Sequence, residues 1–255
     1  MAIIESLFRY LVIKKKLFPT RFALLGTGAR FTRIRKGGLD LVKLSLAAPG
    51  AATIIEVGAN SGQDTVKMLE AFPHAVVHCF EPDPRAIAEW RSSVKSQRAR
   101  LHEMAISSKS GTVQFNQSTG SPPVPGPSMP ARDWNLSGSI LRPKNHLSQH
   151  PWVKFEKSLQ VPCLSLDDFC TEIGLFTESD AQIDLIWADV QGAEQDLVLG
   201  GQKALERTRF FYTEYSNSEL YDGQIGLSKL MRLLPSFEIR EIWTNDVLFQ
   251  NRKLN

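Results

Sequence analysis

Three cysteines in 255 residues, Cys79, Cys163 and Cys170, form no C-x-x-C pair and leave one over. Neither a disulfide framework nor a zinc site is expected, and a reducing, cytoplasmic compartment is. Cys79 sits in the apolar run Val76-Val77-His78-Cys79-Phe80 and reads as a small buried hydrophobe. Long apolar runs are also missing. Ile3, Ile4, Leu7, Phe8, Leu11 and Val12 are too few to span a bilayer, which takes about 20 residues. The same stretch lacks the charged start and small-residue cleavage site of a signal peptide. Its helical spacing ahead of Lys14-Lys15-Lys16 leaves two readings of residues 1–18: a helix packed on the protein's own surface, or a peripheral contact with a membrane. Charge of one sign is scarce too. A net charge of +3 without clustered Lys or Arg falls short of a nucleic-acid footprint, so no nucleic-acid partner is expected. No internal repeat is present. With 42% hydrophobic and 22% charged residues, the chain has the make-up of a soluble globular protein.

What is present is a rhythm of short apolar runs and helical segments. Residues 1–50 read as an N-terminal helical extension, and residues 51–255 as one α/β domain. Thr53 to Val57 is β-rich and ends at a glycine-rich turn, and Gln63 to Phe72 has helical spacing before Pro73. Val76 to Phe80 is a second run, a helix from about Arg85 to Arg100 follows, and Leu101 to Ile106 is a third run. Strand, helix, strand, helix, strand is the signature of parallel βαβ units. Residues 118–150 interrupt it. The prolines of Pro122-Pro123-Val124-Pro125-Gly126-Pro127 fix φ and remove amide donors, so an irregular insertion is expected, either a substrate-side cover or a linker. Later strands are predicted at Leu159–Leu164, Ile183–Ala188, Arg209–Tyr215, Phe237–Ile242 and Asp246–Gln250. The last two fit the antiparallel edge common on mostly parallel sheets.

The strongest local signal is Glu56-Val57-Gly58-Ala59-Asn60-Ser61-Gly62, closing the first predicted strand and opening a helix. Glycine there allows a tight turn and close approach of a ligand. The carboxyl ends of parallel strands are where such folds bind ligands. A dinucleotide fingerprint needs G-x-G-x-x-G, but Asn60 stands at the middle glycine, which disfavours a nicotinamide oxidoreductase. Glu56 beside the turn suits a cationic amine better than a pyrophosphate, and S-adenosylmethionine carries such an amine. Gly26-x-Gly28 has no strand before it and Phe31 at the third glycine position, so it is discounted. Glu81, about 20 residues beyond the loop, is placed to accept from both ribose hydroxyls of a nucleoside or to cap the helix near Pro84.

Taken in order, Ile54 to Gln63, Phe80-Glu81-Pro82-Asp83, Ala105-Ile106-Ser107, Gly111-Thr112-Val113, Ser165 to Phe169, and Asp184 to Glu194 resemble the FkbM family of methyltransferases over roughly residues 54–245. The resemblance implies a Rossmann-like class I methyltransferase fold, S-adenosylmethionine as methyl donor, and a hydroxyl acceptor on a sugar, glycolipid or polyketide. By position it implies that Glu56, Gly58, Ala59, Asn60 and Gly62 hold the methionine end. Glu81 and Pro82 would lie at the ribose, Met104 and Ala105 near the adenine, and Asp189 facing the transferred methyl. Ser137-Gly138-Ser139 falls where the family has a serine-rich turn, either an acceptor contact or a plain loop. The chain departs from the family at Trp187, usually Lys, and at Gln191, usually Glu. The second change removes a carboxylate near the reaction centre and keeps open a cofactor-binding protein without catalysis.

Methyl transfer to an alcohol needs alignment and a base within hydrogen-bond reach. Asp189 and Glu194 are the first candidates and Glu214, in Tyr212-Thr213-Glu214-Tyr215, the third; Asp189 and Glu194 could equally cap a helix. His146 and His150 are further candidates or solvated loop residues. Asp184, Asp189 and Glu194 do not fall at a metal-ligand spacing, and no metal site is expected.

Overall fold

The structure is a computed structural model and describes residues 22–25, 30–123, 133–177 and 181–254. At the N-terminal side, β1 (Phe22–Leu25) and β2 (Arg30–Arg33) pair antiparallel, and α1 (Leu41–Ala47) follows. The helical extension predicted for residues 1–50 is therefore replaced by a strand pair over part of its length. The apolar helical pattern of residues 3–12 and Gly26-x-Gly28 lie outside the described residues. Helix α1 is no appendage. Asp40 caps it by accepting from the Lys43 amide at 3.0 Å, and Leu44, Ala48 and Ala51 are buried in one core with Met68 and Phe72.

The α/β pattern then unfolds as β3 (Thr53–Val57), α2 (Gln63–Ala71), β4 (Val76–Phe80), α3 (Pro84–Ser93) and β5 (Ala99–His102). Pro84 at the first turn of α3, capped by Asp83, is a favourable start, because proline has no amide to leave unpaired there. Helix α3 stops at Ser93 rather than near Arg100. The hydroxyls of Ser92 and Ser93 both donate to the Glu89 carbonyl, which competes with continuation of the helix.

The single run predicted at Leu101–Ile106 is two strands, because a turn in which the Met104 amide donates to the His102 carbonyl sends β6 (Ala105–Ile106) into a second sheet. That sheet contains β7 (Gly111–Gly120), and, after α4 (His146–Gln149), β8 (Val153–Leu164), in the order β6-β8-β7. The chain continues through α5 (Leu166–Glu172), β9 (Ile183–Ala188), α6 (Glu194–Gly200), α7 (Gln202–Glu206), β10 (Thr208–Glu214), α8 (Leu227–Leu233), β11 (Phe237–Ile242) and β12 (Asp246–Asn251).

The main sheet has the order β11-β12-β10-β9-β3-β4-β5. Its five strands from β10 to β5 run parallel, and β12 enters antiparallel between β10 and β11, which is the predicted edge. Strands buried on both faces carry unbroken apolar runs. Along β3, Ile54 faces the core shared with α1, α2 and α3, while Ile55 faces the one shared with α5, α6, α7 and α8. Neighbouring β3 and β9 send their connections in opposite directions across the sheet. Their carboxyl ends therefore splay around a crevice, the place where such sheets bind ligands.

Candidate active site

At that crevice the β3–α2 turn is held by its own amides: Gly58 and Ala59 both donate to the Phe80 carbonyl, and Gly62 donates to Ala59. Gly58 has φ +89°, and a Cβ there would stand 2.0 Å from the Asp189 carbonyl oxygen. Glycine at this position lets the tips of β3 and β9 touch, and the Asp189 amide donates to the Val57 carbonyl at 2.9 Å. Among the described residues, Asn60 and Gln191 are the non-glycine residues with positive φ, 44° and 50°. They sit in the turns after β3 and β9, and backbone strain of this kind gathers at functional sites.

The cleft between these turns encloses about 630 Å³ including its open mouth. One wall is apolar, built from Phe80, Met104, Ala105 and Ile106, and suits a planar base. Glu81 and Pro82 stand beside it at the tip of β4. Glu81 accepts from the Asn60 amide through Oε2 and from the Asp83 amide through Oε1, both at 2.8 Å. A carboxylate has about four acceptor positions, so two remain for hydroxyl donors of a ribose. Burial pushes Glu81 up to about 7, against the pull of those two amides. Added donors would favour its charged form.

Asp189 lines the far end of the cleft, past Gly58. The Gln191 amide Nε2 lies 2.6 Å from Asp189 Oδ1 and 3.4 Å from Glu214 Oε2. Its Oε1 faces the Tyr221 hydroxyl at 3.1 Å, and that hydroxyl also lies 2.8 Å from the Ser137 carbonyl. The short contact with the Asp189 carboxylate, which can only accept, sets the orientation of the amide. Glu214 is raised first by the charge of Asp189 and then by burial, while Asp189 is raised by burial and eased by Gln191. Each acid disfavours the charge of the other, so the two titrate as a pair, raised above the ordinary carboxylate range.

The remaining predicted residues divide by position. Gly58, Asn60, Glu81, Pro82, Met104, Ala105 and Asp189 line the cleft. Glu56, Ala59, Gly62, Glu194 and Glu214 lie outside its lining. Glu56 is buried on the α2 side of the sheet, where Thr65 Oγ1 donates to its Oε2 and its Oε1 has no partner; burial pushes it up to about 8. Ala59 packs in the same core. At Gly62 a Cβ would meet Val94 Cγ2 at 2.5 Å and Trp90 Cδ1 at 2.9 Å, so glycine there seats α2 against α3. Glu194 accepts from the Gly192 amide at 3.2 Å and secures the turn into α6. His146 is buried against Tyr221 and held well below its usual range, to about 4, by burial and by His150. Trp187 lies against the Tyr212 ring, with centroids 4.1 Å apart.

The opposite wall comes from β7, through Phe115, and from the insertion, through Asn135, Leu136, Gly138, Ser139 and Ile140. Ser139 Oγ donates to the Gln191 carbonyl and Asn60 Nδ2 to the Asn135 carbonyl, tying this wall to both strained turns. Arg85 adds a third tie, reaching Asp83, the Ser118 carbonyl and Asp133. Sequence spacing offered no signal for Asn135 or Tyr221. Both reach the site through contacts between distant parts of the chain.

The family model of the methyltransferase FkbM domain matches residues 56–245. A relative from Sinorhizobium fredii named 2-O-methyltransferase NoeI is 44% identical over 216 residues, 83% of this chain and 84% of that protein. Among solved structures, the N-methyltransferase NodS of Bradyrhizobium japonicum WM9 is similar with 12% identity and a TM-score of 0.42, covering 83% of this chain and 92% of that one. Aeropyrum pernix fibrillarin in complex with natively bound S-adenosyl-L-methionine is similar with 11% identity and a TM-score of 0.40, covering 94% and 86%. The fold rests on the strand order itself rather than on these two distant likenesses. The chain belongs to the FkbM family of methyltransferases, with S-adenosylmethionine as the methyl donor.

Proposed function

We propose that the protein transfers a methyl group to a hydroxyl of a sugar, glycolipid or polyketide-like acceptor, with Asp189 as the general base. The observation that carries this is Asp189 itself: a buried carboxylate at the tip of β9 that lines the cleft, its Oδ1 bonded to the Gln191 amide. The name of the relative, a 2-O-methyltransferase, supports oxygen as the atom methylated.

S-adenosylmethionine, when bound, supplies a methyl group on a cationic sulfonium. The cleft fits it: an apolar wall for the base, spare acceptor positions on Glu81 for the ribose, and a carboxylate at the end where positive charge belongs. Gly58 and Asn60 would hold the methionine end, Glu81 and Pro82 the ribose, and Met104 and Ala105 the adenine. An alcohol is a weak nucleophile, and Asp189 takes its proton as the oxygen forms its new bond to carbon. The Gln191 amide keeps Asp189 turned toward the cleft, and Ser139 and Ile140 on the insertion wall position the acceptor. Much of the rate would come from that alignment. A cytoplasmic location is part of this reading and is supported by three buried, unpaired cysteines. Among the described residues no helix is long and apolar enough to cross a membrane.

Asp189→Asn tests it. Binding of S-adenosylhomocysteine should stay within about threefold of native, while turnover on a panel of sugar and glycolipid hydroxyls falls at least about 100-fold, the usual contribution of a positioned base. Turnover within tenfold of native would remove Asp189 from the role. Cofactor binding by the native chain without turnover on any acceptor would favour a cofactor-binding protein that has lost catalysis.

A further inference from the structure

Asn135 sits in the short turn that returns from the insertion. The turn is pinned on several sides: Ser118 Oγ donates to the Trp134 carbonyl and accepts from the Ser137 amide, and the Trp134 amide donates to the Gly120 carbonyl. The Asn135 backbone carbonyl accepts from Asn60 Nδ2, and its side-chain Nδ2 lies 3.4 Å from Glu89 Oε1 on α3. That contact sets the amide's orientation, because a flip would press its oxygen against a carboxylate. The oxygen end is then the odd one out. Asn135 lines the cleft and is 6% exposed, yet its Oδ1 is closed off from water and has no donor. A buried acceptor without a partner is costly, and each one in a native structure calls for a reason.

The reason is at hand in the neighbouring groups. Asn60 links Asn135 to Glu81, bonding one through its side chain and the other through its amide. Asn135 thus sits against the turn that positions Glu81, on the same cleft. We infer that Asn135 is a further cofactor-holding residue, its side-chain oxygen accepting a hydrogen bond from a ribose hydroxyl. The inference rests on the chain's use of S-adenosylmethionine. It makes the insertion a part of the cofactor site as well as of the acceptor wall.

Calorimetric titration of S-adenosylhomocysteine tests it, with 5′-methylthioadenosine and its 2′-deoxy and 3′-deoxy analogues as probes of the hydroxyl. Asn135→Ala should bind S-adenosylhomocysteine at least tenfold more weakly, about 1.4 kcal/mol. The same variant should bind one of the deoxy analogues no more weakly than the native protein does, since that analogue lacks the donor. Glu89→Ala removes the tie to α3 and leaves the Asn135 oxygen in place; it should stay within threefold of native. If Asn135 served only to tie the turn to α3, Glu89→Ala would lose as much affinity as Asn135→Ala, and the inference would fall. It would also fall if Ala bound S-adenosylhomocysteine within twofold of native, or lost equal affinity for both deoxy analogues and their parent. Should Asn135→Ala not fold, Asn135→Ser, whose hydroxyl is too short to replace the amide oxygen, is read against the same analogues. Failure of the native protein to bind S-adenosylhomocysteine would instead overturn the cofactor assignment itself.

Discussion

Replacing Gly58 with alanine separates two costs that the β3–α2 turn combines. The first is conformational. Gly58 has φ +89°, where a Cβ costs about 1–2 kcal/mol, partly offset because alanine narrows the unfolded ensemble by about 0.4–1 kcal/mol. The second is contact. The new Cβ would stand 2.0 Å from the Asp189 carbonyl oxygen and 2.9 Å from its carbon, both backbone atoms that cannot rotate away. Overpacking of this kind typically costs a further 1–3 kcal/mol. The sum is about 1–5 kcal/mol. Gly223 supplies the control, with φ +82° and nothing within 4 Å of an added Cβ, so Gly223→Ala carries the first cost alone. At about 2.1 cal/mol/K per residue, the chain's unfolding entropy is near 0.5 kcal/mol/K. Gly58→Ala should then lower Tm by about 2–9 °C, and Gly223→Ala by about 3 °C or less. Since Gly58 and Asp189 both line the cleft, the first variant should also weaken S-adenosylhomocysteine at least tenfold by calorimetry. Equal Tm values for the two variants, with affinity within twofold of native, would refute the claim that the β3 and β9 tips must touch.

Gln191→Glu restores the residue usual in the family and places a third carboxyl beside Asp189 and Glu214. Like charge raises the Asp189 pKa, so the acid limb of the kcat/KM profile should move up by about one unit or more, while an unmoved limb would remove Gln191 from control of the base. Glu56→Gln tests whether Glu56 is a buried neutral group or a charged anchor. Its folded pKa, about 8, lies above its unfolded value, so its contribution to stability is complete at low pH and is lost as pH rises from about 4.5 through 8. Glutamine cannot ionise, so the variant's Tm should exceed the native value at pH 8.5 and match or fall below it at pH 4.5. A lower Tm at pH 8.5, together with weaker S-adenosylhomocysteine binding, would return Glu56 to the cofactor.

The parallel sheet was legible because its strands are buried on both faces. Thr53–Val57, Val76–Phe80 and Ile183–Ala188 read as unbroken apolar runs, and each became a strand with those bounds. Strand β7 gave no such signal. Its Asn116, Gln117 and Ser118 are buried polar residues, paired with Ser139 and Leu141, with Asp83, and with Trp134 and Ser137. Hydropathy cannot show that a polar side chain is buried because it is bonded. At the site, the glycine spacing located the turn but not the work of each residue in it. Gly58 serves the contact of two strand tips, Gly62 the seating of one helix on another, and Glu56 lies in the core beneath. Asn135, Ser139 and Tyr221 belong to segments far from the glycine loop, and only the folded chain brings them to it.

The three-stranded sheet shares no strand with the main one, yet it carries a wall of the cleft. That wall is joined to the strand tips by a few side-chain ties such as those of Arg85, Asn60 and Ser139. On the proposed function, substitutions at Phe115, Leu136 or Ile140 would reshape the pocket for a different alcohol while the switch point between β3 and β9 stays as it is. Descent with one fixed donor and many acceptors is the history such a layout permits, and the insertion is where that history would be written.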